Sequence, residues 1–266
     1  MYKDNKILAI IPARGGSKGI PRKNVRFMNG NPLIAYIVRT SISSCYIDKT
    51  IITTDDDEIS NYSYLYGADA VVSRPSKLAD DNTTLDPVIY HAYKRYQEQE
   101  GENFDIIITL QPTSPLLSTH SLDKAIESLI DSNSSTMISV VPVRHLFWEK
   151  KDDKLKPYHP TRLNRQQLDP VYFEAGSFVI SKAENITENS RISEPIDVFE
   201  LSEIEGTDVD NYLDWTIAEK ILSKKKILIR VDGNKEIGLG HIYNTLILAN
   251  NLMLHDLTFV MNKEYP

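Results

Sequence analysis

The chain alternates short apolar runs with amphipathic stretches, and this rhythm constrains its fold more than any other feature. Ile7–Ile11 is almost wholly apolar, as expected of a strand covered on both faces of a parallel sheet. Pro32 to Ser44 comes next with apolar residues at helical spacing (Leu33, Ile34, Ile37, Val38, Ile42), and Pro32 suits a first helical turn. The pattern then repeats, with strands expected at Ile51–Thr53, Ala70–Val72, Asp105–Leu110 and Thr136–Val143. Helices are expected at Asp57–Tyr66, Leu85–Gln99 and Leu122–Ser132. Strands separated by helices require right-handed crossovers, so the expected fold class is a three-layer, Rossmann-like α/β domain with a mostly parallel sheet.

Composition narrows the function classes. The chain has 266 residues and a formal net charge of -7, which argues against a nucleic-acid surface driven by bulk charge. Local basic clusters can still hold an anionic substrate. One cysteine, Cys45, excludes an intrachain disulfide and a cysteine-based zinc site, and it fits a reducing cytosol. The apolar run after Met1–Lys6 is broken by Pro12 and Arg14, too early for a signal peptide, and no stretch approaches transmembrane length. The expectation is a soluble, cytoplasmic protein with no nucleic-acid or membrane partner.

The rhythm changes between Arg144 and Glu200. Polar and proline-containing stretches surround one clear strand, Tyr172–Ser181, as in an inserted arm or a long surface loop. A helix is expected again at Tyr212–Leu222. After Lys224-Lys225-Lys226 a new unit begins, with strands at Ile227–Val231 and Leu257–Val260 around a helical stretch, Ile242–Leu254. The expected domains are therefore 1–223, with the arm at about 144–200 inserted, and 224–266 as the truncated start of a second α/β unit. A βαβ piece of roughly 40 residues is near the lower limit for independent folding.

The loop after the first strand reads Ile11-Pro12-Ala13-Arg14-Gly15-Gly16-Ser17-Lys18-Gly19-Ile20-Pro21-Arg22-Lys23-Asn24. Its glycines let backbone N–H groups converge on phosphate oxygens, and Arg14, Lys18 and Lys23 can offset phosphate charge. It is neither a Walker A loop nor the dinucleotide G-x-G-x-x-G. Taken alone, such a loop also reads as a surface turn with a basic face. Asp208 and Asp210 lie two apart, so an extended segment points both carboxylates to one face, where hard oxygens suit Mg²⁺. An Asp there can equally cap the helix beginning near Asn211. Gln111-Pro112-Thr113-Ser114-Pro115 comes just after the carboxyl end of a strand, where parallel sheets gather ligand residues. It also reads as a stiff turn with a helix cap.

Together with Asn31–Ile34, the glycine loop resembles the opening signature of the CMP-sialic acid synthetase (N-acylneuraminate cytidylyltransferase) family. Further blocks occur in the order of that family: Thr54–Ile59, Arg74-Pro75 with Leu78–Asp81, Leu110–Leu116, Arg165-Gln166-Gln167, Glu174–Phe178 and Asp208-Val209-Asp210. The resemblance covers about residues 6–222. It implies a nucleotide-diphospho-sugar-transferase-like fold and a Mg²⁺-dependent transfer of CMP from CTP to an acidic nine-carbon sugar. Arg14 and Lys23 would hold the triphosphate, with the Ala13, Gly15, Gly16 and Ser17 backbone and Asn24 beside it. Arg74 and Thr84 would lie along the nucleotide, and Asp208 and Asp210 would hold the metal. Gln111, Thr113 and Ser114 would bond the sugar, Arg165 with Gln166 beside it would face the sugar carboxylate, and Tyr172 and Phe178 would wall its acyl group. Core packing is the competing reading for Tyr172 and Phe178, and a solvated loop charge for Lys18 and Arg22. The resemblance also implies a homodimer whose arm reaches the neighbouring subunit.

Two departures loosen the acceptor. Ala175 stands where the family usually has Asn, and Gly206-Thr207 where many members have Ser-Ile. The tail from Arg230 to His241 resembles the start of the UDP-sugar hydrolases of pseudaminic acid synthesis, with His241 at the catalytic histidine's position. The match covers only about residues 226–262, so no activity is expected of it. It shifts the expected sugar from N-acetylneuraminate toward legionaminate or pseudaminate. A CMP-Kdo synthetase and a non-catalytic nucleotide-sugar binding module are the alternatives.

Overall fold

The computed structural model describes residues 2–233 and 238–263. The chain divides into two compact units, Met1–Asp214 and Trp215–Pro266.

The strands of the first unit are β1 (Ile7–Pro12), β2 (Phe27–Met28), β3 (Asn31–Pro32), β4 (Lys49–Thr54), β5 (Ala70–Ser73), β6 (Ile106–Leu110), β7 (Thr136–Val143), β8 (Trp148–Lys151), β9 (Lys154–Pro157), β10 (Val171–Lys182) and β11 (Ile196–Glu200). Its helices are α1 (Leu33–Ile42), α2 (Asp57–Leu65), α3 (Leu85–Glu100) and α4 (Thr119–Asp131). Seven strands form one sheet in the order β11-β7-β10-β6-β1-β4-β5. The pairs β1–β4, β1–β6, β4–β5 and β7–β11 are parallel, while β10 runs antiparallel to both neighbours.

Alternation along β1 explains the three layers. Ile7, Ala9 and Ile11 pack with Ile34 and Ile37 of α1, Ile59 of α2 and Leu122 and Ile126 of α4. Leu8 and Ile10 face the other way, toward Ile89, Ala92, Tyr93 and Tyr96 of α3. A strand covered on both faces has no position for a polar side chain, hence its unbroken apolar run. The mostly parallel α/β class expected from the alternation is the class observed.

The stretch expected as an arm is divided. Val171–Lys182 and Ile196–Glu200 belong to the central sheet, the first in its middle and the second at its edge. Every residue of the antiparallel hairpin β8–β9 is exposed. Gly176, at φ +71°, lies where the register of β10 against β7 shifts between Glu174 and Val179; this left-handed conformation favours glycine.

The helix α5 (Tyr212–Leu222) contains the division between the units. The second unit adds β12 (Lys226–Arg230) and β13 (Asp256–Val260), paired in parallel, and α6 (Gly240–Asn251). Of its resemblance motif, Glu236 and Ile237 lie outside the described residues. No helix among the described residues is long and apolar enough to cross a membrane.

Candidate functional site

The parallel strands β1, β4 and β6 deliver their carboxyl ends to one edge of the sheet, and the loops leaving those ends build the site. The glycine loop leaves β1, the Asp55–Asp56 turn leaves β4, and Gln111–Ser114 leaves β6. A cavity of about 320 Å³ opens there, lined by Pro12, Arg14, Gly16, Ser17, Lys23, Asn24, Arg74, Leu85, Gln111, Pro112, Thr113, Asp208 and Asp210. Crevices at the carboxyl ends of strands are where open α/β sheets bind ligands.

Backbone and carboxylate contacts set the shape of the glycine loop. The Gly15 N–H donates to Asp55 Oδ1 at 3.0 Å, and Asn24 Nδ2 donates to the Arg14 carbonyl at 3.0 Å. Arg22 has a left-handed backbone and directs its guanidinium onto Asp56 and Glu58. Asp56 also accepts from the Ile59 N–H as the N-cap of α2, so the loop is fastened to a helix. Arg14 Nη1 lies 2.5 Å from Asp81 Oδ1, and Lys18 Nζ lies 2.8 Å from Asp81 Oδ2.

Lys23 links the loop to the paired aspartates. Its Nζ donates to the Val209 carbonyl at 2.7 Å and pairs with Asp210 Oδ1 at 3.1 Å. The Val209 N–H in turn donates to the Thr113 carbonyl at 2.8 Å, joining that segment to the end of β6. Asp208 is half-buried, and its Oδ1 is buried without a hydrogen-bond partner. Burial raises its pKa and neighbouring Asp210 adds to the rise, while the Thr113 hydroxyl and the charge of Lys23 oppose it. A buried carboxylate oxygen with no donor suits a cation. Among the described residues no group of three or more His, Cys, Asp or Glu side chains is placed to hold a metal ion. Two carboxylates alone do fit Mg²⁺, which keeps waters and substrate phosphates in its shell.

Arg74 is 5% exposed, and its guanidinium donates from Nη2 to the Thr53 carbonyl at 2.7 Å, while its Nε is buried without a partner. Burial pushes its pKa down to about 10, opposed by Asp55. A guanidinium placed in this way has donors left for an anion or a base in the cavity.

Of the residues singled out from sequence, Arg14, Gly16, Ser17, Lys23, Asn24, Arg74, Gln111, Thr113, Asp208 and Asp210 share the cavity lining. Ala13 is buried beneath it, Gly15 is half-buried, and Thr84 is exposed at the N-terminus of α3. Ser114 is 1% exposed, and its hydroxyl has no partner. Arg165 and Gln166 lie outside the cavity on the exposed stretch before β10; Arg165 reaches Glu203 at 3.9 Å. Tyr172 is exposed and donates to Glu200 Oε1 at 2.8 Å.

Phe178 needs a correction. At 1% exposure it packs in the main core against Phe199, so its ring cannot wall a ligand. Ala175 is buried in the same core, which leaves no polar group at that position to face a sugar. Sequence reasoning assigns no role to Asp55 and Asp81, the acidic partners of the glycine loop. The one available signal is their place in the two acidic runs, after β4 and before α3.

The profile of the family described as "Cytidylyltransferase" matches residues 8–202, which include most of this lining. The chain belongs to the cytidylyltransferase family. The resemblance read from the glycine loop and the ordered blocks is therefore borne out, and the chain is a nucleotidyltransferase by family. Among cytidylyltransferases, a CMP-N,N'-diacetyllegionaminic acid synthase of Legionella pneumophila is 30% identical over 224 residues, covering 82% of this chain and 96% of that protein. A pseudaminic acid cytidylyltransferase of Campylobacter jejuni is 32% identical over 226 residues, covering 82% of this chain and 97% of that protein. A structure of CMP:2-keto-3-deoxy-manno-octonic acid synthetase complexed with CTP superposes with a TM-score of 0.61 at 14% identity, over 82% of this chain and 98% of that one. At that identity the likeness speaks for the cytidylyltransferase fold alone.

Proposed function

We propose that the chain joins CMP from CTP to an acidic nine-carbon sugar of the sialic acid kind, with legionaminate and pseudaminate ahead of N-acetylneuraminate. One observation carries this reading. The cavity gathers Arg14, Lys23, Asn24 and Arg74, whose Nε is buried without a partner, with Asp208, whose Oδ1 also has none. The names of the two sequence relatives support the choice of acceptor.

In the reaction the anomeric oxygen of the sugar bonds to the α-phosphorus, the bond from that phosphorus to the bridging oxygen breaks, and pyrophosphate leaves with its electron pair. The hydroxyl proton passes to water. The protein's contribution is position and charge. Arg14 and Lys23 hold the triphosphate, and the backbone of Gly16 and Ser17 and the Asn24 amide orient it, while the Ala13 and Gly15 N–H groups brace the loop against the Thr53 carbonyl and Asp55. Arg74 and Thr84 lie along the nucleoside, Gln111 and Thr113 bond the sugar, and Arg165, which lies outside this chain's cavity, meets the sugar carboxylate in the site of a neighbouring subunit. Asp208 and Asp210 would hold Mg²⁺. When bound, the ion neutralises phosphate charge and favours ionisation of the attacking hydroxyl.

A homodimer belongs to the same proposal. Phe147, Trp148, Leu155 and Tyr158 are exposed on or next to the hairpin, and Tyr172 and Phe173 are exposed at the start of β10. Apolar exposure concentrated in this way marks a contact surface, and sedimentation should return twice the chain mass. Activity is tested by pyrophosphate release from CTP with a panel of legionaminate, pseudaminate, N-acetylneuraminate and Kdo. Release with a nine-carbon acid supports the proposal. CTP binding without turnover on any acid would leave a binding module.

A further inference from the structure

The acidic partners of the glycine loop differ in how firmly they are held. Asp56, which takes Arg22, is 16% exposed at its side chain and caps α2, so its position is set by a helix. Asp81, which takes Arg14 and Lys18, sits on the loop between Leu78 and α3, with its side chain 37% exposed. Its two oxygens meet the two cations separately, at 2.5 and 2.8 Å. Two anionic oxygens shared between an Arg and a Lys reproduce the contacts those cations would give a phosphate. Arg14 Nη1 is also 3.5 Å from the Ala79 carbonyl, so this loop supplies a second acceptor to the same guanidinium. The pairing lowers the pKa of the Asp81 carboxyl, with Lys18 the larger cause and Arg14 the second.

We propose that Asp81 is an internal counter-anion of the nucleotide site. It pairs Arg14 and Lys18 when no nucleotide is bound, yields them to the triphosphate, and takes them back as pyrophosphate leaves. The inference rests on reading the cavity as the triphosphate seat. Its physical content is competition: a ligand that must displace an internal group binds with an apparent affinity reduced by the fraction of sites already free. The same competition assists release of the product polyanion, a step that sets turnover in many enzymes.

The test is isothermal titration of the full chain, Asp81→Asn and Asp80→Asn with CTP and with inorganic pyrophosphate, at one magnesium concentration. Asp80 is the adjacent loop carboxylate, so its variant makes the same change in net charge. Asp81→Asn should bind both ligands roughly two- to tenfold tighter, the effect of releasing one or two surface-type ion pairs. Asp80→Asn should change affinity by less than about twofold. In a Lys18→Met background the effect of Asp81→Asn should shrink, because the two share one interaction. Equal tightening in both Asn variants would reduce the effect to bulk charge and overturn the proposal. Weaker binding by Asp81→Asn would overturn it differently, by making the carboxylate a support for Arg14. Unmodified chain that bound neither CTP nor pyrophosphate would refute the triphosphate seat itself, and the counter-anion with it.

Discussion

Gly19 lies against the backbone of Asp210: a β-carbon on Gly19 would fall 2.2 Å from the Asp210 carbonyl oxygen. The glycine loop and the aspartate segment are thus in direct main-chain contact, and Lys23 spans the same junction from its side chain. Backbone cannot yield to a methyl group as a flexible side chain can. Gly19→Ala should therefore push the segments apart, with a stability loss of about 1–3 kcal/mol read by thermal melting. Because the separation falls between cations and candidate metal ligands, CTP turnover should drop at least about tenfold. A variant that melts lower yet turns over normally would show that this spacing does not matter to the chemistry.

Asp208 sets stability against function. Its folded pKa is raised, first by burial, so its contribution to stability is present below the ordinary value of 3.8 and is lost as pH rises through the folded value. Asp208→Asn removes that dependence. In metal-free buffer the variant should gain on the unmodified chain in melting temperature as pH rises from about 4 to 7. Magnesium should raise the melting temperature of the unmodified chain and not that of the variant. Chelation should stop turnover in the unmodified chain, and Asp208→Asn should lower it by about a hundredfold or more. An equal magnesium shift in both proteins would remove Asp208 from the ligand set.

Much of this architecture is legible in the sequence because its signals are local. Strands covered on both faces must be apolar throughout, as Ile7–Ile11 is, and helices packed on a sheet must repeat their apolar residues, as α1 and α4 do. The illegible part depends on pairing at a distance. Nothing within Val171–Lys182 says that it runs antiparallel between β6 and β7, so local pattern groups it with the arm. Ile196–Glu200 is an edge strand, largely exposed, and lacks the apolar run that marks the central strands. The cavity cations and paired aspartates are visible because they cluster in short segments. Asp55 and Asp81 meet the glycine loop across about 40 and 67 residues of chain, which no local pattern encodes. The inward turn of Phe178 is hidden for a related reason, since the register shift in β10 interrupts simple alternation.

Asp56 joins the fold to the site. The Arg22 guanidinium is the main cause that lowers its pKa, helped by the Ile59 N–H against the opposing effect of burial. A lowered carboxylate contributes stability that is present above its ordinary value of 3.8 and is lost as pH falls through the folded value. Asp56→Ala removes both the cap of α2 and the anchor of the glycine loop. It should cost about 1–2 kcal/mol at neutral pH, read by urea unfolding, and the gap from the unmodified chain should narrow in acid. Asp56→Asn keeps a capping oxygen and should recover part of the loss. An unchanged gap at low pH would mean that the ionised form of Asp56 contributes nothing to the fold.

The second unit supplies the sharpest expectation of no effect. Among the described residues, those lining the candidate site fall between Pro12 and Asp210, within the first unit. His241 lies in the first turn of α6, the position that the tail's resemblance would make catalytic. Around it Leu239 and Tyr243 are exposed at 65% and 67%, where a catalytic histidine is expected to face an enclosed pocket of polar partners. His241→Ala should therefore leave CTP turnover and sugar preference within about twofold of the unmodified chain, the scale of a surface change remote from the chemistry. A chain ending at Ser223 should behave alike if 1–223 is the catalytic domain. A loss greater than about fivefold in His241→Ala, with the melting temperature unchanged, would bring the second unit into the reaction and refute the separation of roles.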